Sequence, residues 1–362
     1  MSTSYLAWAK RTLEDPDLPL NLVNSGYPSR ELEDLTLPFP DDSILRAPNS
    51  YGWPPLSQAI GESYGLDSDH ITPAAGATMA NYLALKAWIT PGDTVLLESP
   101  TYQPLRSAIE SFGGNIVSLE RSEEGKWEVP EQSFLESLKQ FQPKLVVLTS
   151  PHNPSGRAES CDQLRKFSEW AAAEQSHVLV DTVYADYFDW DPVLLGSAIA
   201  SGFLTLTSSL TKVLGFGPLR VGWIASSPEL TQRYKAELDR VMGCHGGINE
   251  RLGLACWQER TRLIAEARNR VEFNRNVLQR FLGTQPELTW VDPEAGPLAL
   301  LGIRGVTDSG PLSSALLQRG VAVAPGQFFG SPAFFRIGLA GDPMELRQAL
   351  REIGRILPEF LN

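Results

Sequence analysis

Between residues 73 and 225, short apolar runs alternate with longer stretches in which apolar positions recur at helical spacing. Such alternation is typical of parallel β/α units. The pattern predicts strands at 94–98, 115–119, 144–149, 177–181, 203–206 and 221–225, with helices at 77–89, 104–112, 134–141 and 162–174. We expect the last strand to run antiparallel to the one before it, because their connection is too short for a helical crossover. The pattern therefore predicts an α/β fold with a mostly parallel sheet.

The pattern changes after Pro228, where long helices replace the β/α alternation. The helix predicted at 261–281 has the length of a connector between domains. A smaller α+β unit is indicated by two strands and a closing helix at 298–303, 334–339 and 344–357. The first forty residues, rich in Pro and Asp, are expected to pack with it. We therefore predict a large domain and a small domain, the first over 41–260 and the second formed by 1–40 and 261–362.

Charge and composition narrow the classes of function. The 362 residues carry 31 Lys plus Arg against 43 Asp plus Glu, and the net charge of −12 disfavours binding to nucleic acid or to an anionic membrane. The amino terminus lacks an apolar core of signal-peptide length, and no run is long enough to span a bilayer, so we expect a cytoplasmic protein. Three cysteines and four histidines show no metal-ligand spacing, and we expect no metal.

Four residues with chemically useful side chains lie just after predicted strands, namely Tyr102, Asn153, Asp181 and Lys212. Open α/β sheets bind ligands outside the carboxyl ends of their strands. We therefore expect these side chains to converge on one crevice. Because the net charge is negative, an anionic ligand in that crevice needs a local basic pocket.

Asp181 and Lys212 carry the strongest chemical signal. Asp181 ends an apolar strand, where an unpaired carboxylate is costly, so it needs a cationic or hydrogen-bonding partner. A strand-end aspartate that caps the next turn is the structural alternative. Lys212 follows a Ser-rich run, and taken alone it is compatible with a solvated surface lysine. Neither residue alone indicates a functional site, and the interpretation depends on the other motifs.

Several short motifs follow one another in order along nearly the whole chain. They are SGYP at 25–28, GAT at 76–78, SPTYQPL at 99–105, SPHNPSG at 150–156, VDTVY at 180–184, SSLTK at 208–212, GPLRVG at 217–222 and FFRIGLAG at 334–341. Together they resemble the class I/II aminotransferase family, the fold type I group of pyridoxal-phosphate enzymes. The resemblance implies a seven-stranded, mostly parallel sheet in a large domain, a smaller α+β domain formed by both termini, and pyridoxal 5'-phosphate as the cofactor.

The resemblance implies which residue contacts each functional group of the cofactor ring. Lys212 forms a Schiff base with the cofactor aldehyde and later moves a proton at the substrate α-carbon, which requires an amine that is partly neutral. Asp181 keeps the ring nitrogen protonated. Asn153 and Tyr184 donate to the phenolic oxygen, and Tyr102 stacks on the ring face. Without the resemblance, NPSG is an ordinary turn and both tyrosines are compatible with core packing.

The resemblance also implies where the cofactor phosphate binds. Gly76, Ala77 and Thr78 lie at the start of a predicted helix, whose amino terminus favours anions. Ser209 and Arg220 resemble the remaining phosphate ligands of the family. A Gly-Ala-Thr helix start by itself is a weak signal.

Arg336 is the candidate for binding the substrate. It lies within an apolar strand, and a buried guanidinium needs an anionic partner. The resemblance makes that partner the substrate α-carboxylate, with Gly26 and Asn153 beside it. The aromatic residues Trp190, Phe328 and Phe329 suggest a substrate with an apolar or aromatic side chain.

The chain departs from the family pattern in two places. The family often has a tyrosine that is donated to the neighbouring subunit's phosphate, and Ala47 occupies that position here. Tyr51 is the candidate to replace it in a homodimer. Ser57 stands where the family usually has arginine, within a segment expected at the subunit interface.

The resemblance implies an aminotransferase that moves an amino group between an L-amino acid and a 2-oxo acid by a ping-pong route. The same cofactor cradle also serves decarboxylases and eliminating lyases, because the bond held perpendicular to the ring decides the reaction. A protein that binds the cofactor without turnover is an alternative of a different class. The sequence leaves these alternatives open.

Overall fold

The computed structural model describes residues 4–31 and 50–361. In chain order, the strands are β1 (Leu20–Asn21), β2 (Ile71–Ala74), β3 (Thr94–Ser99), β4 (Asn115–Glu120), β5 (Leu145–Thr149), β6 (His177–Asp181), β7 (Leu204–Ser209), β8 (Gly222–Ala225), β9 (Leu288–Trp290), β10 (Leu298–Ile303), β11 (Val321–Ala322), β12 (Ala324–Pro325) and β13 (Phe334–Gly338).

The helices surround these strands. They are α1 (Tyr5–Leu13), α2 (Pro54–Ser63), α3 (Ala77–Trp88), α4 (Gln103–Ser111), α5 (Glu131–Phe141), α6 (Cys161–Ala173), α7 (Gly196–Ala200), α8 (Pro228–Val241), α9 (Gly247–Gln258), α10 (Arg260–Leu282), α11 (Gly310–Leu317) and α12 (Pro343–Ile356). Within the described residues, each helix is too short or too polar to traverse a lipid bilayer.

The central sheet has seven strands in the order β2-β8-β7-β6-β5-β3-β4. Strand β8 pairs antiparallel with both β2 and β7, and the other pairings are parallel. Every residue of β5 and β6 is buried, as expected for parallel strands covered by helices on both faces. The predicted α/β class, the mostly parallel sheet and the reversed direction of the strand after Lys212 are confirmed.

Most of the predicted element boundaries agree with the structure to within one or two residues, the usual uncertainty at helix and strand ends. The helix predicted at 134–141 begins three residues earlier, at Glu131, because Pro130 precedes it as the helix cap. The sequence pattern did not predict helix α1. Its Ser4 cap accepts a hydrogen bond from the Ala7 amide, but the helix has only nine residues and depends on tertiary contacts.

The carboxyl-terminal part contains an antiparallel sheet with the strand order β12-β13-β10-β9. The 23-residue helix α10 leads into it and contacts α12. Strand β1 pairs in parallel with β11, so the amino-terminal segment joins this part as expected. The division into domains at residues 41 and 261 stays a prediction, since one cluster of buried apolar side chains runs through both parts.

Candidate active site

A cavity lies at the carboxyl ends of the central strands β5, β6 and β7. Seven of the residues proposed from the sequence line it, namely Ala77, Thr78, Tyr102, Asn153, Asp181, Tyr184 and Lys212. The opposite wall is formed largely by α1, through Tyr5, Leu6, Ala9, Lys10 and Leu13. The predicted convergence of the strand-end residues on one crevice is therefore observed.

Lys212 lies in the loop between β7 and β8, and its amine faces the cavity. The Nζ atom donates a hydrogen bond to Ser25 Oγ at 2.7 Å. Burial lowers the pKa of Lys212 to about 8, assisted by the charges of Arg336 and Arg220 and opposed by Asp181. A substantial fraction of this amine is therefore neutral near physiological pH, as a nucleophile or a proton acceptor requires.

Asp181 ends β6 and is 4% exposed. Its Oδ2 accepts a hydrogen bond from Asn81 Nδ2 at 2.7 Å, and its Oδ1 accepts one from the Val183 amide at 3.2 Å. Burial raises the pKa of Asp181 to about 6, while the bonds from Asn81 and Val183 and the charge of Lys212 act in the opposite direction. The carboxylate is thus ionised at neutral pH.

Arg336 is completely buried behind the cavity wall. Its guanidinium donates to Asn153 Oδ1 at 2.8 Å, to the Tyr5 hydroxyl at 2.8 Å and to the Val23 carbonyl at 2.9 Å. Its Nε has no hydrogen-bond partner among the described residues, and none of their carboxylates forms an ion pair with this arginine. The predicted need of Arg336 for an anion is therefore left for a ligand to meet.

Two tyrosines complete the inner wall. Tyr184 is 1% exposed and lies beside Ser25, whose hydrogen bond works against the strong rise in the pKa of the phenol caused by burial. Burial also raises the pKa of Tyr102, and its ring meets the Tyr5 ring edge to face at 5.9 Å. Both phenols stay protonated at neutral pH and are available as donors.

The candidate phosphate ligands lie at the amino terminus of α3. Gly76 has a φ of +79°, and a Cβ at this position would collide with the Arg220 guanidinium. Arg220 donates to the Ala75 carbonyl at 2.8 Å, which holds its side chain against this turn. Ser209 ends β7, and its Oγ accepts from the Thr211 amide at 3.3 Å. Ser209 is paired with Gly222 of β8, which packs directly against Gly76 and Ala77, so a cation, a hydroxyl group and a helix amino terminus are neighbours.

Gly26 packs against the backbone of Lys212. A Cβ on Gly26 would lie 2.7 Å from the Lys212 carbonyl oxygen and 2.9 Å from its Cα, so only glycine fits. The next residue, Tyr27, donates its amide to the same carbonyl at 2.8 Å. The approach of Gly26 to a substrate carboxylate stays a prediction.

The site fits the cofactor expected from the sequence. A buried amine of lowered pKa faces the cavity opposite a buried carboxylate. Thr149 Oγ1 borders the same cavity and, like Arg336 Nε, lacks a hydrogen-bond partner within the described residues. Unpartnered buried polar atoms around an amine and a carboxylate are what a polar, anionic ligand would satisfy.

Sequence reasoning missed several polar residues of this site. Tyr5, Ser25, Asn81 and Thr149 line the cavity, and Thr207 donates to Asn81 Oδ1 at 2.5 Å. The strand-end position of Thr149 in the TSPHNP run was a usable signal. Ser25 lies in the SGYP motif, whereas Tyr5 and Asn81 are brought in by tertiary contacts that no local pattern indicates.

The aromatic residues expected around the substrate lie elsewhere or further back. Trp190 borders two other depressions of the described surface and does not line this cavity. Phe329 packs behind Tyr5 with a ring separation of 5.4 Å, and Phe328 also contacts Tyr5. The cavity wall opposite the strand-end residues is formed by α1 instead.

The residues that depart from the family pattern lie outside the cavity, as far as they are described. Tyr51 is exposed and donates to Asp239 Oδ2 at 2.8 Å. Ser57 is buried within α2, and Ala47 lies outside the described residues. Residues 4–31 and 50–361 contain no cluster of His, Cys, Asp or Glu that could hold a metal ion.

Comparisons with known proteins identify the family of this chain. Residues 39–353 match the family model for aminotransferase class I and II. An aspartate aminotransferase from Rhizobium meliloti is 25% identical over 365 residues, covering 92% of this chain and 88% of the relative. An arginine–pyruvate transaminase from Pseudomonas aeruginosa is 26% identical over 340 residues, covering 88% and 85%. 

A solved structure shares the fold. A PLP-dependent aminotransferase from Streptococcus suis superposes with a TM-score of 0.88 at 22% identity, covering 99% of this chain and 98% of the other.

Proposed function

Because this chain belongs to the class I and II aminotransferase family, we propose that it moves an amino group between an L-amino acid and a 2-oxo acid by a ping-pong route. Pyridoxal 5'-phosphate is the expected cofactor, with Lys212 as its attachment point. The observation that carries the proposal is the pair of buried groups in one cavity, an amine with a pKa of about 8 and a carboxylate that is ionised at neutral pH.

Bound in this cavity, the cofactor would supply an electron-withdrawing ring that stabilises negative charge at the substrate α-carbon. Asp181 would support this role by pairing with the protonated ring nitrogen. Asn153 and Tyr184 would donate to the phenolic oxygen, and Tyr102 would pack on the ring. The buried position of Asp181 and the two donors from Asn81 and Val183 support its assignment, because they fix the carboxylate and favour its ionised form.

The phosphate would bind where α3 begins. Ala77 and Thr78 offer backbone amides at the helix amino terminus, and Gly76 allows Arg220 to lie close to this turn. Ser209 and Arg220 add a hydroxyl and a cation. An anion gains both hydrogen bonds and a favourable macrodipole at such a position.

Two residues would hold the amino acid by its α-carboxylate. Arg336 has a free Nε and no protein anion among the described residues, and Asn153 is hydrogen-bonded to it. Lys212 would then take the α-proton and return a proton at the neighbouring carbon of the cofactor. The substrate side chain would lie along Leu6, Ala9 and the rest of the α1 wall.

The assembly and its place in the cell are part of the same proposal. We propose a cytoplasmic homodimer in which the exposed Tyr51 lies near the partner's site. The net charge of −12 supports a role without nucleic acid or membrane partners. The division into a large domain over 41–260 and a small domain over 1–40 and 261–362 is proposed from the connecting helix α10 and the β1–β11 pairing.

A single-turnover experiment tests the function. The protein loaded with pyridoxal 5'-phosphate is mixed with individual amino acids, without any oxo acid, and the products are counted. Transamination yields one 2-oxo acid per subunit and no ammonia. Continuous release of oxo acid with ammonia would identify a lyase, and carbon dioxide with an amine would identify a decarboxylase.

The matched variants are Lys212→Ala and Lys139→Ala, the second removing an exposed lysine on α5. We expect the first to abolish product formation and the second to leave it unchanged. Normal turnover by Lys212→Ala with several amino acids would overturn the assignment of this lysine. Absence of any product from the loaded wild-type protein would favour a cofactor-binding protein without turnover.

A further inference from the structure

The backbone of Lys212 is locked to the segment Ser25–Tyr27. The Lys212 carbonyl accepts hydrogen bonds from the Tyr27 amide at 2.8 Å and from the Tyr187 hydroxyl at 3.1 Å. Gly26 packs so closely that a Cβ would lie 2.7 Å from that carbonyl oxygen. Ser25 is therefore held at a fixed position relative to the lysine, although 187 residues separate the two in sequence.

The Ser25 hydroxyl is the hydrogen-bond partner of the lysine amine. Nζ donates to Oγ at 2.7 Å, and Ser25 is 7% exposed and lines the cavity. On its other side, Ser25 lies beside the Tyr184 phenol and lowers its pKa by a hydrogen bond. Within the described residues, no carboxylate forms an ion pair with this amine. A single buried hydroxyl thus orients the lysine end group.

Orientation of this amine matters at one stage of the proposed reaction. With the cofactor bound, a covalent bond to Lys212 would hold its Nζ in place. As a free amine, Nζ would sit at the end of a flexible four-carbon stem and would still have to reach one particular substrate carbon to remove a proton. A misplacement of about 1 Å at such a step can cost about 100-fold in rate.

We propose that Ser25 is a positioning residue that holds the released amine of Lys212 beside the substrate. This inference rests on the proposed transamination and assigns a role to Ser25, the first residue of the SGYP motif, for which the resemblance implied none. An N–H donated to Ser25 Oγ restricts the rotation of the amine, so that two of the three staggered directions remain for its lone pair during proton transfer. Tyr184, placed by the same hydroxyl, completes a short chain of polar groups next to the cofactor position.

Ser25→Ala and Ser25→Thr separate this role from a structural one. In the loaded protein, we expect Ser25→Ala to slow the first half-reaction by about 10- to 100-fold. The slowing should come with a larger isotope effect for amino acids deuterated at the α-carbon, because proton transfer becomes more limiting. The Michaelis constant and the affinity for pyridoxal 5'-phosphate should change little. Ser25→Thr, which keeps the hydroxyl, should restore most of the rate.

A second readout uses the apoprotein and needs no substrate. A hydrogen bond from Nζ favours the charged form of Lys212, so its loss should lower the pH midpoint for capture of pyridoxal 5'-phosphate. The other charged groups that act on this amine are Asp181 on β6, Arg336 on β13 and Arg220 in the same loop as Lys212, and all three are unchanged in the variant. Ser226→Ala, which changes a buried serine directly after β8, is the control and should match the wild type.

The outcomes distinguish the two proposals. A Ser25→Ala protein with wild-type rate, isotope effect and pH midpoint would overturn the role of Ser25. An equal loss of cofactor affinity and rate, with an unchanged isotope effect, would also overturn it by showing a structural role. If the loaded wild type forms no product from any amino acid, the proposed function fails, while the midpoint shift in the apoprotein still tests the Ser25–Lys212 contact.

Discussion

Asn81 donates its side-chain amide to Asp181 across 2.7 Å, from Nδ2 to Oδ2, and its Oδ1 in turn accepts from Thr207 at 2.5 Å. The three side chains come from α3, β6 and β7, and none is more than 5% exposed. An ionised carboxylate can only accept hydrogen bonds, so it fixes which end of the amide faces it. Asn81 thereby favours the charged form of Asp181, which burial alone would disfavour.

Asn81→Leu should weaken cofactor binding. Loss of a hydrogen bond to a charged group costs about 1.5–3 kcal/mol, so we expect about 10- to 100-fold lower affinity at pH 7. The pKa of Asp181, about 6 in the wild type, should rise, and binding should therefore be lost at a higher pH on acidification. Tryptophan fluorescence of the apoprotein titrated with pyridoxal 5'-phosphate measures both effects. Asn115→Leu, at the exposed start of β4, is the control. If both variants lost cofactor binding at the same pH on acidification, the prediction would be contradicted.

Capture of the cofactor by the apoprotein should become faster as the pH rises through about 8, because only the neutral amine of Lys212 attacks the aldehyde. The neighbouring charges set the direction of further shifts. Arg336→Met removes a positive charge and should move the midpoint upward, whereas Asp181→Asn removes a negative charge and should move it downward. Stopped-flow absorbance at a series of pH values would measure the midpoints. A shift of both variants in the same direction would refute this electrostatic account.

A buried ionic cluster beneath the cavity should be important for stability. Arg121 contacts Glu98 and Glu159 at 2.6 Å each, and Glu98 also accepts from the Thr149 amide at 2.6 Å. Glu98→Ala leaves part of a buried guanidinium and a backbone donor unpaired, so we expect a loss of about 3–5 kcal/mol in the free energy of unfolding.

Urea unfolding followed by circular dichroism would measure this loss. The control is Glu169→Ala, which breaks an exposed pair with Arg165 on α6 and should cost no more than about 0.5 kcal/mol. Equal stabilities of the two variants would show that Glu98 is dispensable.

Gly26→Ala should disturb Lys212, because the added methyl group meets both its backbone and its side chain. The new methyl group would lie 2.7 Å from the Lys212 carbonyl oxygen, so one of the two backbones has to move. We expect a destabilisation of about 1–3 kcal/mol together with slower cofactor capture. Gly243→Ala has nothing within 4 Å of its added Cβ and provides the control in the same thermal-unfolding and capture assays. A Gly26→Ala protein that captures the cofactor at the wild-type rate would show that this close packing is not required.

The sequence pointed to Asp181 and Lys212 because each carries a local signal, a carboxylate at the end of an apolar strand and a lysine in an ordered set of motifs. The central sheet was predictable for the same reason, since β5 and β6 are continuous apolar runs. The partners of these residues were not. In the sequence, Asn81 is a single polar residue within a predicted helix. Its hydrogen bond with Asp181 joins residues that are 100 positions apart, so no local pattern predicts it.

The contribution of the amino-terminal helix α1 to the cavity was even harder to predict from the sequence. Tyr5 reaches Arg336 across 331 positions, and nothing in the short α1 sequence indicates that helix as a wall of the cavity. Trp190, which the sequence suggested near the substrate, does not line this cavity, because an aromatic side chain near the end of a β/α unit has several surfaces on which to pack. Packing between distant segments determines where these side chains lie. Hydrophobic periodicity predicts local secondary structure and does not predict such contacts.

The reversed direction of β8 keeps the loop from Leu210 to Val221 at the same edge of the sheet, so Lys212 and Arg220 belong to one short excursion of the chain. Both proposed anchors of the cofactor therefore depend on the geometry of a single hairpin. The wall opposite is a separate element, α1, encoded at the other end of the chain. Under the proposed function, mutations in α1 would alter the amino acid preference while the attachment of the vitamin-derived group stayed unchanged, a modular separation of selectivity from catalysis.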